Sequence, residues 1–244
     1  MSDSVRRALD IIELVSSSPK TLGEVVGHFS VHKTTILRQL QTIEAAGFVL
    51  RHTDGRYSGG LRLIATAQIA LERIDLRDFA AEEIRNLHAK TGNTIHLAQL
   101  IESSIVYVDK VEDTNGIRMY SRIGKTVPSY CTGVGKVILA QLSPERVDDL
   151  LEGLEWVQYT DATLPDRVSL DAELNLIRTR GWAVDDGEFE DFGNCIAVPI
   201  TNSTGSIVGG VSLTALKMVK SIQDLELHLP DLLTAARAIS RLLA

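Results

Sequence analysis

The sequence predicts an α+β protein of two domains, a small helical domain followed by a larger one built around a sheet. Two observations predict this class. Within the first 60 residues, three short helical patterns precede a strand, an Asp-Gly turn and a second strand. From Thr94 onward, β-type runs are grouped around helical stretches without strict alternation, which is typical of one sheet with helices packed against it. A chain of 244 residues is long enough for a core in each domain.

The N-terminal elements follow from periodicity and capping. Apolar residues recur at helical spacing from Val5 to Val15. Thr21-Leu22-Gly23-Glu24 has the pattern of a capping box and predicts the start of a second, short helix. A third helix is expected from Lys33 to Ala46, and Phe48-Val49-Leu50 and Arg56-Tyr57 predict two strands around an Asp-Gly turn.

This order of elements is the plan of a winged helix-turn-helix, whose usual function is DNA binding. The outward side of the third helix and the turn carry the residues expected to contact DNA: Lys33, Thr34, Thr35, Arg38, Gln39 and Arg56. For any one of them, a solvated helix face is the simpler interpretation. The set as a whole favours DNA contact.

The charge distribution agrees with this division. The chain has a net charge of −7. Residues 1–60 contain seven Lys/Arg and six Asp/Glu and so carry +1, which leaves −8 on the remainder. DNA contact is therefore expected only in the N-terminal module.

The remaining elements define the larger domain. A helical stripe from Leu61 to Ile74 predicts a linker helix, which gives a winged helix-turn-helix over 1–60, a linker over 61–75 and a second domain over 76–244. Predicted strands in the second domain are Thr94–Ala98, Ser104–Val108, Ile117–Tyr120, Cys195–Ile200 and Ser206–Thr214. Predicted helices begin near Leu76, Gly133, Pro144, Ser169 and Pro230.

Composition excludes several classes of protein. No run approaches the roughly 18 apolar residues of a membrane helix, and the N-terminus lacks the apolar core of a secretion signal, so a cytoplasmic location is expected. Cys131 and Cys195 are far apart and show no Cys-x-x-Cys or Cys/His spacing. We therefore expect neither a disulfide framework nor a metal site, and no cofactor.

Several runs resemble one family across both domains. They are Ser4-Val5-Arg6-Arg7-Ala8-Leu9, Lys33-Thr34-Thr35-Ile36-Leu37-Arg38, Gly124 to Lys136, Asp185-Asp186 and Cys195-Ile196-Ala197-Val198-Pro199. In this order they resemble the IclR family of bacterial transcription regulators. The resemblance implies a GAF-like C-terminal domain that binds a small organic acid, and assembly as a homodimer or homotetramer.

The resemblance also implies an effector pocket. Its residues would be Gly133, Val134, Asp185, Cys195, Ser212 and Thr214. Gly133-Val134-Gly135-Lys136 is not a phosphate loop, because Val137 stands where that loop needs Ser or Thr. A glycine-containing helix start offers free N–H groups that suit a carboxylate, and the alternative is a tight packing turn.

Two runs resemble a particular group of regulators within the family. Ser104 to Lys110 and Ile117 to Gly124 are similar to regulators that respond to 2-keto-3-deoxygluconate, which makes a 2-keto-3-deoxy sugar acid the expected effector. Elsewhere the chain departs from the family pattern, with Gly187-Glu188 in place of paired Glu, and Phe192-Gly193-Asn194 before the Cys.

The interpretation that follows is a non-enzymatic, DNA-binding transcriptional regulator, expected to be a repressor. One alternative is a redox sensor or enzyme that uses Cys195, although no His or Lys adjoins that residue in the sequence. Another is a DNA-binding protein whose larger domain only oligomerises.

Overall fold

The computed structural model describes residues 3–71, 75–112 and 121–243. Its contacts divide the chain into two compact units, Met1–Arg73 and Ile74–Ala244, which we call the N-terminal unit and the effector unit. The strand predicted at Ile117–Tyr120 lies outside the described residues. No helix in these described ranges is long and apolar enough to cross a membrane.

The N-terminal unit has the predicted order of elements. It contains α1 (Asp3–Ser17), β1 (Lys20–Thr21), α2 (Leu22–His28), α3 (Lys33–Ala45), β2 (Val49–Arg51) and β3 (Arg56–Gly59). The Thr21 capping box is present, because the Thr21 hydroxyl accepts from the Glu24 N–H and the Glu24 carboxylate accepts from the Thr21 N–H. β1 was not predicted, and it pairs with β3 to give the antiparallel order β1-β3-β2.

One apolar cluster holds this unit together. It consists of Ile11, Val15, Val25, Ile36, Leu40, Ile43, Val49 and Tyr57. The predicted linker stripe forms α4 (Leu61–Leu71), on which Leu61, Ile64 and Ile69 are 79%, 68% and 58% exposed. This stripe is therefore not part of the core of the N-terminal unit.

The effector unit is an antiparallel sheet with helices on both faces, so the predicted α+β class is confirmed. In chain order its elements are α5 (Asp75–Thr91), β4 (Thr94–Ile101), β5 (Ser104–Val111), α6 (Gly133–Ala140), α7 (Pro144–Leu151), α8 (Arg167–Arg180), β6 (Ala183–Asp186), β7 (Gly193–Thr201), β8 (Ile207–Leu216), α9 (Ile222–Glu226) and α10 (Leu229–Leu242). The strand order is β5-β4-β8-β7-β6. β6 and α9 were not predicted.

Two buried clusters lie on opposite sides of this sheet. One joins α5 and α10 to side chains such as Leu97 and Leu213. The other joins α6 and α8 to Ala98 and Ala197. Because successive strand residues alternate between the two faces, neighbours such as Leu97 and Ala98 serve different clusters. This alternation also determines which polar side chains face α6.

Candidate functional site

The helix expected to contact DNA presents most of its predicted residues to solvent. His32 caps α3 through its Nδ1 atom, and Lys33, Thr34, Thr35 and Arg38 are exposed. Ile36 and Leu40, on the opposite side of the same helix, are fully buried. An amphipathic helix with this division can offer its polar side to a ligand without losing its core contacts.

Gln39 lies in a different environment from the other predicted contacts. Its Nε2 donates to the Ser4 carbonyl at 2.9 Å, which ties α3 to α1. Its Oε1 is buried and has no hydrogen-bond partner among the described residues. In this arrangement Gln39 serves the contact between helices, and only the other members of the set face outward.

The first residue of β3, after the turn that follows β2, supplies the remaining predicted contact. Arg56 is half-exposed, with its Nε 3.7 Å from Asp54 Oδ2 and its Nη1 3.4 Å from the Pro19 carbonyl. Arg51, on the paired strand, is a further exposed cation that the sequence reasoning did not select, and its guanidinium lies 5.8 Å from the Tyr57 ring centroid. The wing therefore carries two arginines.

In the effector unit, the six predicted effector residues line a single cavity of about 40 Å³. The same cavity is lined by residues that the sequence reasoning did not select, among them His96, Tyr107, Ser121, Thr132, Phe189 and Glu190. No Lys or Arg belongs to its lining in the described part of the chain. The described lining residues offer an anion N–H and O–H donors.

Strand register explains why residues distant in sequence meet. Asp185 pairs with Cys195, and Cys195 pairs with Thr214, which forms a row across β6, β7 and β8. Ser212 lies two residues before Thr214 on the same face and pairs with His96 of β4. The predicted hydroxyl pair is thus buried beside a histidine, with Ser212 1% and Thr214 6% exposed.

The N-terminus of α6 closes the cavity against this row. Thr132 caps the helix by accepting from the Gly135 N–H, and the Gly133 and Val134 amides have no partner among the described residues. A Cβ on Gly133 would lie 2.8 Å from Cys195 Sγ, so only glycine allows this approach. The partial positive charge of the helix end is directed at the site.

His96 connects two sides of the cavity. Its Nδ1 lies 3.1 Å from Thr214 Oγ1 and its Nε2 lies 2.7 Å from Ser121 Oγ. Burial, with a smaller contribution from Lys110, lowers the pKa of His96 to about 3, so the imidazole is neutral near neutral pH. A neutral ring has one donor and one acceptor, so it donates to one of these two hydroxyl groups and accepts from the other. The sequence predicts that His96 lies on a strand but does not indicate its hydrogen-bond partners.

Asp185, which lines the cavity, and Glu188, which lies behind it, both have raised pKa values. Burial, and next the charge of Glu188, raise the pKa of Asp185 to about 7. Lys136 is buried and pairs through Nζ with Glu188 Oε1. Asp185 therefore lines the cavity, with one further carboxyl group and one ammonium group behind it.

The environment of both cysteines disfavours the reactive thiolate form. Burial, and next the charge of Asp185, raise the pKa of Cys195 to about 12, and burial also raises the pKa of Cys131. A nucleophilic or sensing cysteine needs a stabilised thiolate. The described residues include no group of three or more His, Cys, Asp or Glu side chains placed to hold a metal ion.

A larger space adjoins the cavity. It measures about 530 Å³ and shares Tyr107, Ser121, Phe189 and Glu190 with the inner cavity. Tyr159, Phe192 and Lys125 are among its other lining residues. A ligand with one end in the inner cavity can extend into this outer cavity.

Two family models together match most of the chain. The model for the IclR helix-turn-helix domain matches residues 4–52, and the model for the C-terminal domain of bacterial transcriptional regulator IclR matches residues 68–241. The chain belongs to the IclR family. This IclR-family chain is thus a DNA-binding transcriptional regulator, and a function built on Cys195 is not supported.

Relatives of this IclR regulator match over nearly the full length. The HTH-type transcriptional regulator KdgR of Escherichia coli is 34% identical over 243 residues, which cover 98% of this chain and 92% of KdgR. The crystal structure of Thermotoga maritima IclR, 31% identical, superposes with a TM-score of 0.83 over 100% of this chain and 99% of that one. An IclR homologue from Microbacterium hydrocarbonoxydans, complexed with 4-hydroxybenzoate, shares the fold with a TM-score of 0.80 at 20% identity, over 98% of each chain.

Proposed function

We propose that this regulator binds operator DNA under the control of a small carboxylate, and that a 2-keto-3-deoxy sugar acid such as 2-keto-3-deoxygluconate is that effector. The observation that supports the proposal most is the cavity at the start of α6, where free amides face buried hydroxyl groups. The similarity to KdgR over 98% of the chain supports the sugar-acid class.

The proposed pose follows from the donors and acceptors. The effector carboxylate would accept from the N–H groups of Gly133 and Val134, at the positive end of α6. Ser212, Thr214 and Asp185 would hydrogen-bond the keto and hydroxyl oxygens, with Cys195 as a wall. The inner cavity holds only the carboxylate end of a six-carbon acid, and the rest would extend into the outer cavity.

We propose further that DNA contact is made by Lys33, Thr34, Thr35 and Arg38 of α3, with Arg56 on the wing. One such helix reads few bases, so two copies are needed to hold half-sites about 34 Å apart. The exposed stripe Leu61, Ile64 and Ile69 on α4 supports a homodimer, because a second copy would cover it. A homotetramer would be a pair of such dimers.

Calorimetry with the full chain and 2-keto-3-deoxygluconate tests the effector assignment. Removing a donor so that a buried acceptor is left unsatisfied costs about 1–3 kcal/mol, so Ser212→Ala should weaken binding by roughly five- to a hundredfold. Ser203→Ala, an exposed serine in the turn before β8, is the matched control and should bind normally.

Two results would contradict this assignment in different ways. If sugar acids give no heat while 4-hydroxybenzoate or a neutral compound binds tightly, the ligand class is wrong. If sugar acids bind but Ser212→Ala and Asp185→Ala leave the affinity intact, the class stands and the pocket is wrong.

A further inference from the structure

The turn between β6 and β7 forms one wall of the effector cavity and is held from several sides. Phe189 and Glu190 line the cavity directly. The hydroxyl groups of Thr160 and Thr163 donate to the carbonyls of Gly187 and Glu188, each at 2.6 Å. These contacts fix the backbone of the turn immediately after Asp185.

A chain of polar contacts leads from α6 to Asp185. The Lys136 side chain, 1% exposed, pairs with Glu188, which is 12% exposed. The backbone N–H of Glu188 donates to Asp185 Oδ1 at 2.7 Å. Asp185 lines the cavity, whereas Lys136 and Glu188 do not. The pair therefore does not line the cavity itself and is connected to it through Asp185 and the turn.

Among the described residues, Asp185, Glu188 and Lys136 bring together two carboxyl groups and one ammonium group. Glu188 Oε2 is buried without a hydrogen-bond partner among the described residues, and the Lys136 ammonium, which pairs with Glu188, also lowers the pKa of Asp185. The nearby carboxylates have cations of their own, since Glu173 lies 2.8 Å from Arg180 and Asp186 lies 2.7 Å from Lys217.

The other titratable groups facing Asp185 leave this imbalance in place. Burial keeps four of them uncharged near neutral pH, namely His96, Tyr107, Cys131 and Cys195. Glu190 also belongs to the cavity lining. A second buried negative charge beside a bound carboxylate would be costly.

We propose that Lys136 and Glu188 are positioning residues, whose ion pair holds Asp185 at the cavity wall and sets its charge so that the site accepts an effector anion together with a proton on Asp185. A protonated Asp185 donates a hydrogen bond to an effector oxygen instead of repelling the effector carboxylate. This inference rests on the proposed function for the identity of the ligand, but not for the behaviour of Asp185.

The two substitutions move the titration of the carboxyl groups in opposite directions. Glu188→Gln removes a neighbouring negative charge and leaves Lys136, so the pKa of Asp185 falls. Lys136→Met removes the positive charge, so the last carboxyl proton leaves at higher pH. A nearby charge shifts the pKa of a carboxyl group by about one unit or more. If the pair had only a structural role, both variants would weaken binding, but they would not shift the pKa of Asp185 in opposite directions.

The experiment follows the titration of isotope-labelled aspartate carboxyl carbons by NMR in the full chain without effector, with Asp185→Asn identifying the signal. We expect the midpoint of Asp185 to fall in Glu188→Gln and rise in Lys136→Met, by about one pH unit or more in each. Lys217→Met, which frees the more exposed Asp186, is the matched control and should leave the midpoint in place. Midpoints that stay together in all the variants overturn the proposal.

If Lys136→Met does not fold, a double variant tests the same proposal. Lys136→Met/Glu188→Met replaces the whole buried pair with apolar side chains, a change that folded proteins commonly tolerate. Its Asp185 midpoint should lie above that of Glu188→Gln, and an equal midpoint contradicts the proposal.

Calorimetry with 2-keto-3-deoxygluconate in two buffers of different ionisation enthalpy then measures proton uptake. Proton uptake in the wild type that is lost in Asp185→Asn supports the proposal. Binding without proton uptake overturns the claim that the effector binds together with a proton on Asp185. If the sugar acid gives no heat while the NMR midpoints shift as expected, the effector assignment fails and the positioning role stands.

Discussion

The two units carry their functional groups in opposite ways. In the N-terminal unit, Lys33 and Arg38 project from a helix whose other side, with Ile36 and Leu40, fills the core. In the effector unit, the polar side chains that line the cavity, such as Ser212 and His96, are themselves buried. An exposed contact can be removed without disturbing the fold, whereas a buried polar group must be satisfied wherever it lies. Function and stability are therefore separable in the first unit and linked in the second.

The largest expected effects come from cavities in the two cores. Leu40→Ala in the N-terminal unit and Ile138→Ala in the effector unit each truncate a fully buried side chain and should cost about 2–5 kcal/mol. The two tryptophans, Trp156 and Trp182, both lie in the effector unit. Tryptophan fluorescence should show a lower unfolding midpoint for Ile138→Ala and an unchanged one for Leu40→Ala. Equal shifts would show that the two units unfold as one.

Acid should destabilise the effector unit through His96. Its pKa of about 3 lies below the ordinary value of 6.5, so between these values the unfolded chain binds a proton that the native chain does not. The stability that this residue contributes is present above about pH 6.5 and is lost as the pH falls. The loss in the free energy of unfolding is on the order of a few kcal/mol.

Asp185 contributes in the opposite direction, because its raised pKa makes the native chain bind more protons below about 7. The measurement is therefore the difference in unfolding free energy between wild type and His96→Gln as a function of pH. This difference should shrink on acidification. A difference that does not vary with pH would mean that His96 is not buried in its neutral form.

A smaller effect is expected at the DNA-facing side of α3. Arg38→Ala should weaken operator binding by about 1–3 kcal/mol while leaving the unfolding midpoint nearly unchanged, because the side chain is exposed. Arg85→Ala, an exposed arginine of α5, is the control. Equal losses in both variants, or an affinity that does not change between roughly 50 and 200 mM salt, would contradict DNA contact by α3.

The same contrast explains how far the sequence could predict the molecule. Local signals such as the Thr21 capping box and the stripe of Ile36 and Leu40 specify the N-terminal elements, and these predictions are confirmed. Gln39 was harder to place, because its contact with Ser4 spans 35 residues. In the effector unit, the resemblance to a family supplied Ser212 and Thr214, but His96 and the pair of Lys136 with Glu188 depend on register and on packing between distant elements. The hydrophobic periodicity of a sequence does not predict such contacts.

Control of the first unit by the second is the central claim, and reciprocity tests it most directly. We propose that an effector in the cavity changes the placement of paired N-terminal units through α4. The affinity of the full chain for an operator fragment, selected from random DNA, is measured with and without 2-keto-3-deoxygluconate, and the affinity for the sugar acid with and without that fragment. The account predicts that both affinities change by the same factor, since coupling between two sites is reciprocal. Identical sugar-acid affinities with and without operator would contradict it.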